Sequence, residues 1–332
     1  MIKRILIINT GGTLSSVNSR KGLAPGMKSG EMLEELQMVS RNLELETEDF
    51  CSVDSANIFP EDWAALAKRI GQAGSEYQGI VVIHGTDTLA YTASMLSFML
   101  QNISVPVVVT GSQLSIAHPV ADALENCRCA IHMAASGCPG IFVAFNRKVM
   151  LGCRTSKVRT MSFDAFESIN YPYVGEISSL GLHIRKENLL KKRGIFRPQT
   201  EYSDKVFLLK LYPGISPKIL GYLQEQGCRG VYIEGFGLGG MPFLKHDFIS
   251  AVRDAVSNGM VILAGSQCRY EGSNLSVYET GLKALEAGVV QAYDMTAEAA
   301  MTKLMWVLGQ TRDMREIKEY FSVDISGEVT IP

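Results

Sequence analysis

Four short apolar runs, residues 5–8, 80–83, 105–109 and 141–145, are rich in β-branched side chains and bounded by turn formers. Runs of that kind read as buried strands. The run at 80–83 stops abruptly at His84-Gly85, and helix-forming residues resume at Leu89. Pro60-Glu61-Asp62 opens a helix that carries Trp63, with a proline and two acids in its first turn. Further helices are expected at 31–37 and 121–134, an edge strand at 43–47 and a turn at 53–57. Residues 14–30 keep no lasting apolar period and are dense in turn formers, which predicts a mobile surface loop. Residues 146–184 read as irregular.

The second half repeats the alternation. Strands at 206–211, 231–233 and 261–263 each precede a helical stretch, at 217–226, 246–257 and 279–285, and helices at 297–308 and 314–320 follow. Strands alternating with helices imply mostly parallel sheets covered on both faces. The fold expected is therefore α/β, with two doubly wound domains. The larger N-terminal domain spans 1–185 and the smaller C-terminal domain 205–332, joined by a polar linker at 186–204.

Composition narrows the classes of function. With 332 residues and 46% hydrophobic content, two real cores can form. A formal net charge of −2 excludes the basic face that nucleic-acid binding needs. No stretch approaches the ~20 apolar residues of a membrane span, and the start of the chain is too short in apolar residues for a signal peptide. Seven scattered cysteines suggest reduced thiols in a cytoplasmic protein. Cys127, Cys129 and His132 are the nearest thing to a metal cluster, but helical spacing sends residues two apart to different faces, so no metal is expected.

Three strand ends carry small polar turns: Thr10-Gly11-Gly12-Thr13, Gly85-Thr86-Asp87-Thr88 and Thr110-Gly111-Ser112. Parallel sheets place ligand sites just beyond the carboxyl ends of their strands. Such turns converging on one edge would make a pocket of donors and alcohols, although tight β–α turns favour the same residues, and a Thr-Asp pair also suits a helix cap. The glycines lack dinucleotide spacing, and no phosphate loop, G-x-S-x-G elbow or H-E-x-x-H occurs. His84 reads as a packed residue. What remains is threonine hydroxyls, one aspartate and a lysine. A hydroxyl with a neutral lysine base forms a nucleophile–base pair for acyl transfer. Lys157, after a small polar run, is the best-placed lysine.

These residues bring a resemblance into view. Thr10-Gly11-Gly12-Thr13, the stretch 81–92 with His84-Gly85-Thr86-Asp87-Thr88, residues 109–113, and Gly152 to Lys157 with Phe163-Asp164-Ala165-Phe166 resemble the bacterial L-asparaginase family, most closely its cytoplasmic, type I branch. The resemblance continues through 211–216, Gln267-Cys268, and 287–290 with 294–296. It implies hydrolysis of L-asparagine to L-aspartate and ammonia through an acyl-threonine. Thr13 would be the nucleophile, and Thr86, Asp87 and Lys157 the second hydroxyl, acid and base. Asp54 and Ser55 would hold the substrate's α-amino and α-carboxylate groups. Gly12 and Gly85 would line the pocket and present backbone N–H groups to the oxyanion. The resemblance also implies no metal and no cofactor, and self-association to a dimer or tetramer, with the C-terminal domain completing a neighbour's site and the oligomer interface.

Two positions depart from the family pattern. Leu23 stands where many relatives carry an activating tyrosine, which makes Tyr278 of a neighbouring subunit the first alternative. After Gln113 only Asp122 remains of a usual Ser-Asp pair, as a structural or pocket residue. Rival readings are a mixed glutaminase-asparaginase, the archaeal subunit that releases ammonia for tRNA-dependent amidation, a nucleotide-binding protein, and a non-catalytic amino-acid sensor. The chain's start directly at the first strand, without an extra N-terminal domain, weighs against the archaeal subunit. The missing phosphate fingerprints weigh against the nucleotide binder, and the full threonine–aspartate–lysine set against the sensor.

Overall fold

The computed structural model describes residues 3–12, 16–19, 22–25, 36–37 and 42–331, with 16–19 and 22–25 as backbone only. The chain forms two compact units, residues 1–200 and 201–332.

In the first unit the central strands are β1 (Lys3–Gly11), β4 (Leu43–Val53), β5 (Gly79–Ile83), β6 (Pro106–Thr110) and β7 (Gly140–Phe145), between which a hairpin of β2 (Ser16–Ser19) and β3 (Gly22–Pro25) is inserted. β5 and β6 are buried at every position, as expected of parallel strands covered on both faces. Their apolar side chains alternate: Ile5, Ile7, Val81, Ile83 and Val108 join one core cluster with Cys127, Ile131 and Met133, and the intervening residues point the other way. The helices are α1 (Pro60–Ala73), α2 (Leu89–Met99) and α3 (Ala123–Ala134). α1 buries Trp63, Leu66, Ala67 and Ile70, the i, i+3, i+4, i+7 stripe of a helix lying on a sheet.

The large sheet has the order β12-β11-β8-β7-β6-β5-β1-β4, where β8 is Lys148–Leu151, β11 Gly175–Ser178 and β12 Gly181–Ile184. From β4 to β7 all pairings are parallel; from β7 to β12 all are antiparallel. Three departures from the sequence reading follow. Residues 146–184 are not irregular: they hold β8, β11, β12 and a separate hairpin of β9 (Thr155–Lys157) and β10 (Phe166–Ser168). Their strands are too short for a periodic signal, and Asn146 and Arg147, both at positive φ, form the tight turn that folds β8 back on β7. The predicted loop at 14–30 contains the β2–β3 hairpin. The edge strand runs to Val53, and so leads directly into Asp54-Ser55. Of the helix expected at 31–37, only Leu36 and Gln37 are described, as helical residues.

Taken in chain order, the parallel strands follow the order 2-1-3-4-5. In this doubly wound arrangement the connections from β1 and β5 leave in opposite directions, and a crevice opens at their carboxyl ends.

Residues 186–200 pack on the first unit: Gln199 N–H donates to Met99 O at 2.9 Å and Arg193 N–H to Asn102 Oδ1 at 2.8 Å. Glu201 to Asp204 belong to the second, where Ser203 N–H donates to Met305 O. That unit has a four-stranded, all-parallel sheet ordered β13 (Val206–Lys210), β14 (Gly230–Gly235), β15 (Val261–Ser266), β16 (Val290–Gln291). Its helices are α4 (Lys218–Glu225), α5 (Phe248–Ser257), α6 (Glu279–Glu286), α7 (Ala297–Gln310) and α8 (Met314–Phe321). α7 carries a fully buried lysine, Lys303, whose Nζ lies 2.5 Å from Glu328 Oε1, equally buried on the C-terminal segment.

Candidate active site

Three strand ends are pressed together at the crevice of the large sheet. Gly11 and Gly12 adopt φ of 100° and 83°, a region that side chains disfavour. A Cβ on Gly12 would lie 2.4 Å from the Gly85 Cα, and one on Gly85 would lie 2.6 Å from Ser55 Oγ. The turns after β1, β5 and β4 thus meet backbone against backbone. The Gly12 N–H donates to Val53 O at 3.1 Å, and Thr10 Oγ1 donates to Ile83 O at 2.9 Å.

Most of the hydroxyls predicted to line a pocket are spent on holding these turns. Thr110 Oγ1 donates to Ala144 O and Ser112 Oγ to Leu114 O. Thr88 stands at the N-cap of α2, yet its hydroxyl donates to Ser55 O at 2.7 Å and leaves the helix end uncapped by a side chain. The stretch therefore supplies the N-cap residue of α2 but no side-chain cap.

Thr86 is different. Its Oγ1 lies 2.8 Å from Lys157 Nζ and 3.4 Å from Gln113 Oε1, and the residue is only 7% exposed. The same Nζ lies 2.6 Å from Asp87 Oδ1. The lysine comes from 71 residues away, and its path is defined by close packing. Gly152 lies so near α2 that a Cβ there would meet Ser97 Oγ at 2.7 Å and Ala93 O at 2.8 Å. Thr155 Oγ1 donates to Leu151 O, and Lys157 then pairs with Phe166 across the β9–β10 hairpin. The side chain is 17% exposed, against 65% for Asp87.

Ser55 is buried, whereas Asp54 is exposed and its carboxylate accepts the Ala56 N–H at 2.9 Å, capping the short turn that follows β4. Thr13 lies outside the described residues, as does the side chain of Leu23. Tyr278 belongs to the second unit, where it is exposed at the start of α6 and borders a shallow cavity of about 230 Å³ with Phe236 and Asn274.

Asp122 resolves as a structural residue. Its carboxylate accepts the backbone N–H groups of Gln113 and Leu114 and the amide of Asn126, which also donates to Gly111 O. Gln113 itself was not singled out from the sequence. Its position directly after the third polar turn was the available signal.

His84 is buried and its environment fixes the neutral form. Nδ1 donates to Gly85 O at 2.7 Å, Nε2 accepts from Thr92 Oγ1 at 2.9 Å, and that hydroxyl accepts the Trp63 indole N–H. Burial lowers its pKa to about 4, against a smaller upward pull from Gly85 O. The Cys51 thiol, which donates to Thr10 O, is pushed up to about 11 by burial and by Asp62, so it is no nucleophile at neutral pH. Cys127 and Cys129 lie in the core while His132 is exposed, and no cluster of three or more metal-ligating side chains occurs among the described residues.

A threonine hydroxyl, a lysine and a carboxylate lie in one hydrogen-bonded chain at the carboxyl edge of a parallel sheet, groups with the chemistry of acyl transfer. The chain belongs to the asparaginase family, matching its N-terminal asparaginase domain over residues 4–190 and the glutaminase/asparaginase C-terminal domain over 205–321. It is 41% identical to an L-asparaginase of Thermococcus kodakarensis over 98% of this chain and 99% of that one. It is 35% identical to a glutamyl-tRNA(Gln) amidotransferase subunit of Pyrococcus furiosus over 98% of this chain and 76% of that one. The crystal structure of L-asparaginase I from Vibrio cholerae superposes with a TM-score of 0.89 over the whole of both chains at 30% identity, in line with a type I enzyme. No helix among the described residues is long and apolar enough to cross a membrane.

Proposed function

We propose that the protein hydrolyses L-asparagine to L-aspartate and ammonia in two half-reactions. In the first, Thr13 Oγ attacks the side-chain amide carbon, the C–N bond breaks, and ammonia leaves with the proton taken from the nucleophile. In the second, water attacks the resulting ester, the C–O bond to Thr13 breaks, and aspartate departs. The observation that carries this reading is the 2.8 Å contact between Lys157 Nζ and Thr86 Oγ1, with Asp87 2.6 Å from the same nitrogen. This chain can pass a proton from water through Thr86 to Lys157. As it stands, Nζ donates to both oxygens, so it can take a proton from Thr86 only in its neutral form. Asp54, exposed at the end of β4, suits the substrate's ammonium group, and buried Ser55 beside Gly85 suits its carboxylate. No metal or cofactor takes part in these steps.

Ammonia release with asparagine, with glutamine and without substrate tests the reading. Asparagine is expected to be preferred, with some glutaminase activity remaining, because one methylene changes selectivity by only about 10–200-fold. Thr86→Val and Lys157→Met should each lose at least about a hundredfold in kcat, the low end for a general acid–base group. An acid-quenched sample of Thr86→Val should show an aspartyl adduct on Thr13 by intact-protein mass spectrometry. Retention of wild-type rates in both variants would remove the threonine–lysine mechanism. Equal kcat/KM for the two amides would favour a mixed glutaminase-asparaginase, a reading supported by the similarity to an amidotransferase subunit.

We also propose that the chain works as a dimer or tetramer in the cytoplasm, with Tyr278 contributing to a neighbour's site. None of the seven cysteines is joined in a disulfide, as a reducing compartment allows. Sedimentation at micromolar concentration should give a dimer or larger, and an active monomer would refute the assembly.

A further inference from the structure

Gln113 makes polar contacts with four residues, and those of its side chain fix which way its amide faces. Nε2 lies 3.1 Å from Thr160 O and 3.0 Å from Ser162 O, two acceptors that only an N–H group can satisfy. Flipping the amide would set its oxygen against both carbonyls, so Oε1 must face Thr86 Oγ1, 3.4 Å away. The backbone N–H is in turn clamped by both Asp122 carboxylate oxygens at 3.1 Å. Gln113 is thus held by its main chain to the start of α3 and by its side chain to the loop that follows Lys157.

Thr86 is therefore gripped from two sides by groups of opposite sense. Lys157 Nζ donates to it, and Gln113 Oε1 is the acceptor for its own proton. We propose that Gln113 is a positioning residue of the proton relay: it takes the Thr86 proton in a hydrogen bond while Lys157 donates, and so keeps the hydroxyl in place until the lysine, once neutral, accepts that proton in its turn. The proposal rests on the functional reading above. The 3.4 Å separation is long for an O–H···O contact, and such contacts in unliganded sites commonly tighten when substrate binds. Without the amide the hydroxyl rotates freely, and the order of the relay is set anew at each turnover. Because Nε2 also ties down residues 160–162, the same side chain couples the direction of Thr86 to the loop that carries Lys157.

The test is a double-mutant cycle between Gln113→Met and Thr86→Val, read by steady-state ammonia release from asparagine and by thermal melting. Gln113→Met alone should lower kcat about tenfold, roughly what one neutral hydrogen bond to a reacting hydroxyl amounts to. KM should stay within about twofold, because a residue that acts only by orienting the Thr86 hydroxyl leaves ground-state binding alone. In the Thr86→Val background the same change should cost nothing further, since there is no hydroxyl left to orient. Gln113→Leu, run in parallel, keeps the cycle readable if one replacement packs badly. An unchanged kcat, or an equal loss with and without the Thr86 hydroxyl, overturns the positioning role; the second result would mark Gln113 as a support for the loop alone. If the wild-type protein releases no ammonia from asparagine or glutamine, the functional reading fails and this one with it.

Discussion

At the scale of single residues, the hydroxyls of this site are told apart by their partners. Thr10, Thr88, Thr110 and Ser112 look alike in sequence to Thr86, yet each donates to a backbone carbonyl and serves the turn it stands in. Only Thr86 meets a charged side chain. His84 is the clearest case of a buried titratable group with a purely structural environment, and it makes stability depend on pH. Its folded-state pKa of about 4 lies below the ordinary 6.5, so between those values the unfolded chain binds more protons. The contribution is fully present above about 6.5 and is lost as pH falls toward about 4, a difference on the order of 3 kcal/mol. Urea midpoints at pH 7.5 and 4.5 should lie further apart for wild type than for His84→Gln. A variant with the same pH dependence as wild type would show that His84 does not titrate in this range.

At the scale of elements, the site is an outcome of strand order. The 2-1-3-4-5 arrangement gathers the ends of β1, β4 and β5, and the glycines let those ends touch. Much of this was legible: apolar runs give the central strands, and the polar turns that end them are visible as turns. What escaped were the short strands of residues 146–184, because a strand of three or four residues shows no period and its pairing depends on partners far along the chain. The far end of β4 was also missed, since Glu48 and Asp49 interrupt the strand pattern just after Thr47. For the same reason the sequence could propose Lys157 but could not bring it to Thr86; that takes the close passage of Gly152 over α2. Gly152→Ala should therefore act at a distance. Its Cβ would collide with Ala93 O and Ser97 Oγ, and the cheapest relief is to lift the segment that leads to Lys157. A loss in kcat of about tenfold or more is expected, with a folded protein by circular dichroism. A fully active variant would mean that β9 is positioned by other contacts.

At the scale of the whole molecule, each unit has its own core, and that of the second contains a charge pair. Burial acts to raise the Glu328 pKa, but the Lys303 ammonium and the Ser326 N–H outweigh it, and the carboxyl stays below its ordinary value. Stability from this pair is accordingly present above the usual carboxylate range and falls as acid protonates Glu328. Removing one partner leaves an uncompensated buried charge. Glu328→Leu should lose about 3–5 kcal/mol in chemical denaturation, and adding Lys303→Met should restore much of it. Should Glu328→Leu cost less than about 1 kcal/mol, the pair carries little of the second unit's stability.

The separation of 25 positions from Lys303 to Glu328 also sets an order of events during synthesis. The ribosome delivers the lysine first, and its counter-charge only 25 positions later. Until then the second unit cannot bury α7 without stranding an ammonium in its core. A messenger that terminates at Asp324 would yield a protein with every strand and helix described here but with that ammonium bare. Quality-control proteases should clear such products faster than a chain that carries Glu328, because the second unit folds with its ammonium paired only once residue 328 has been made.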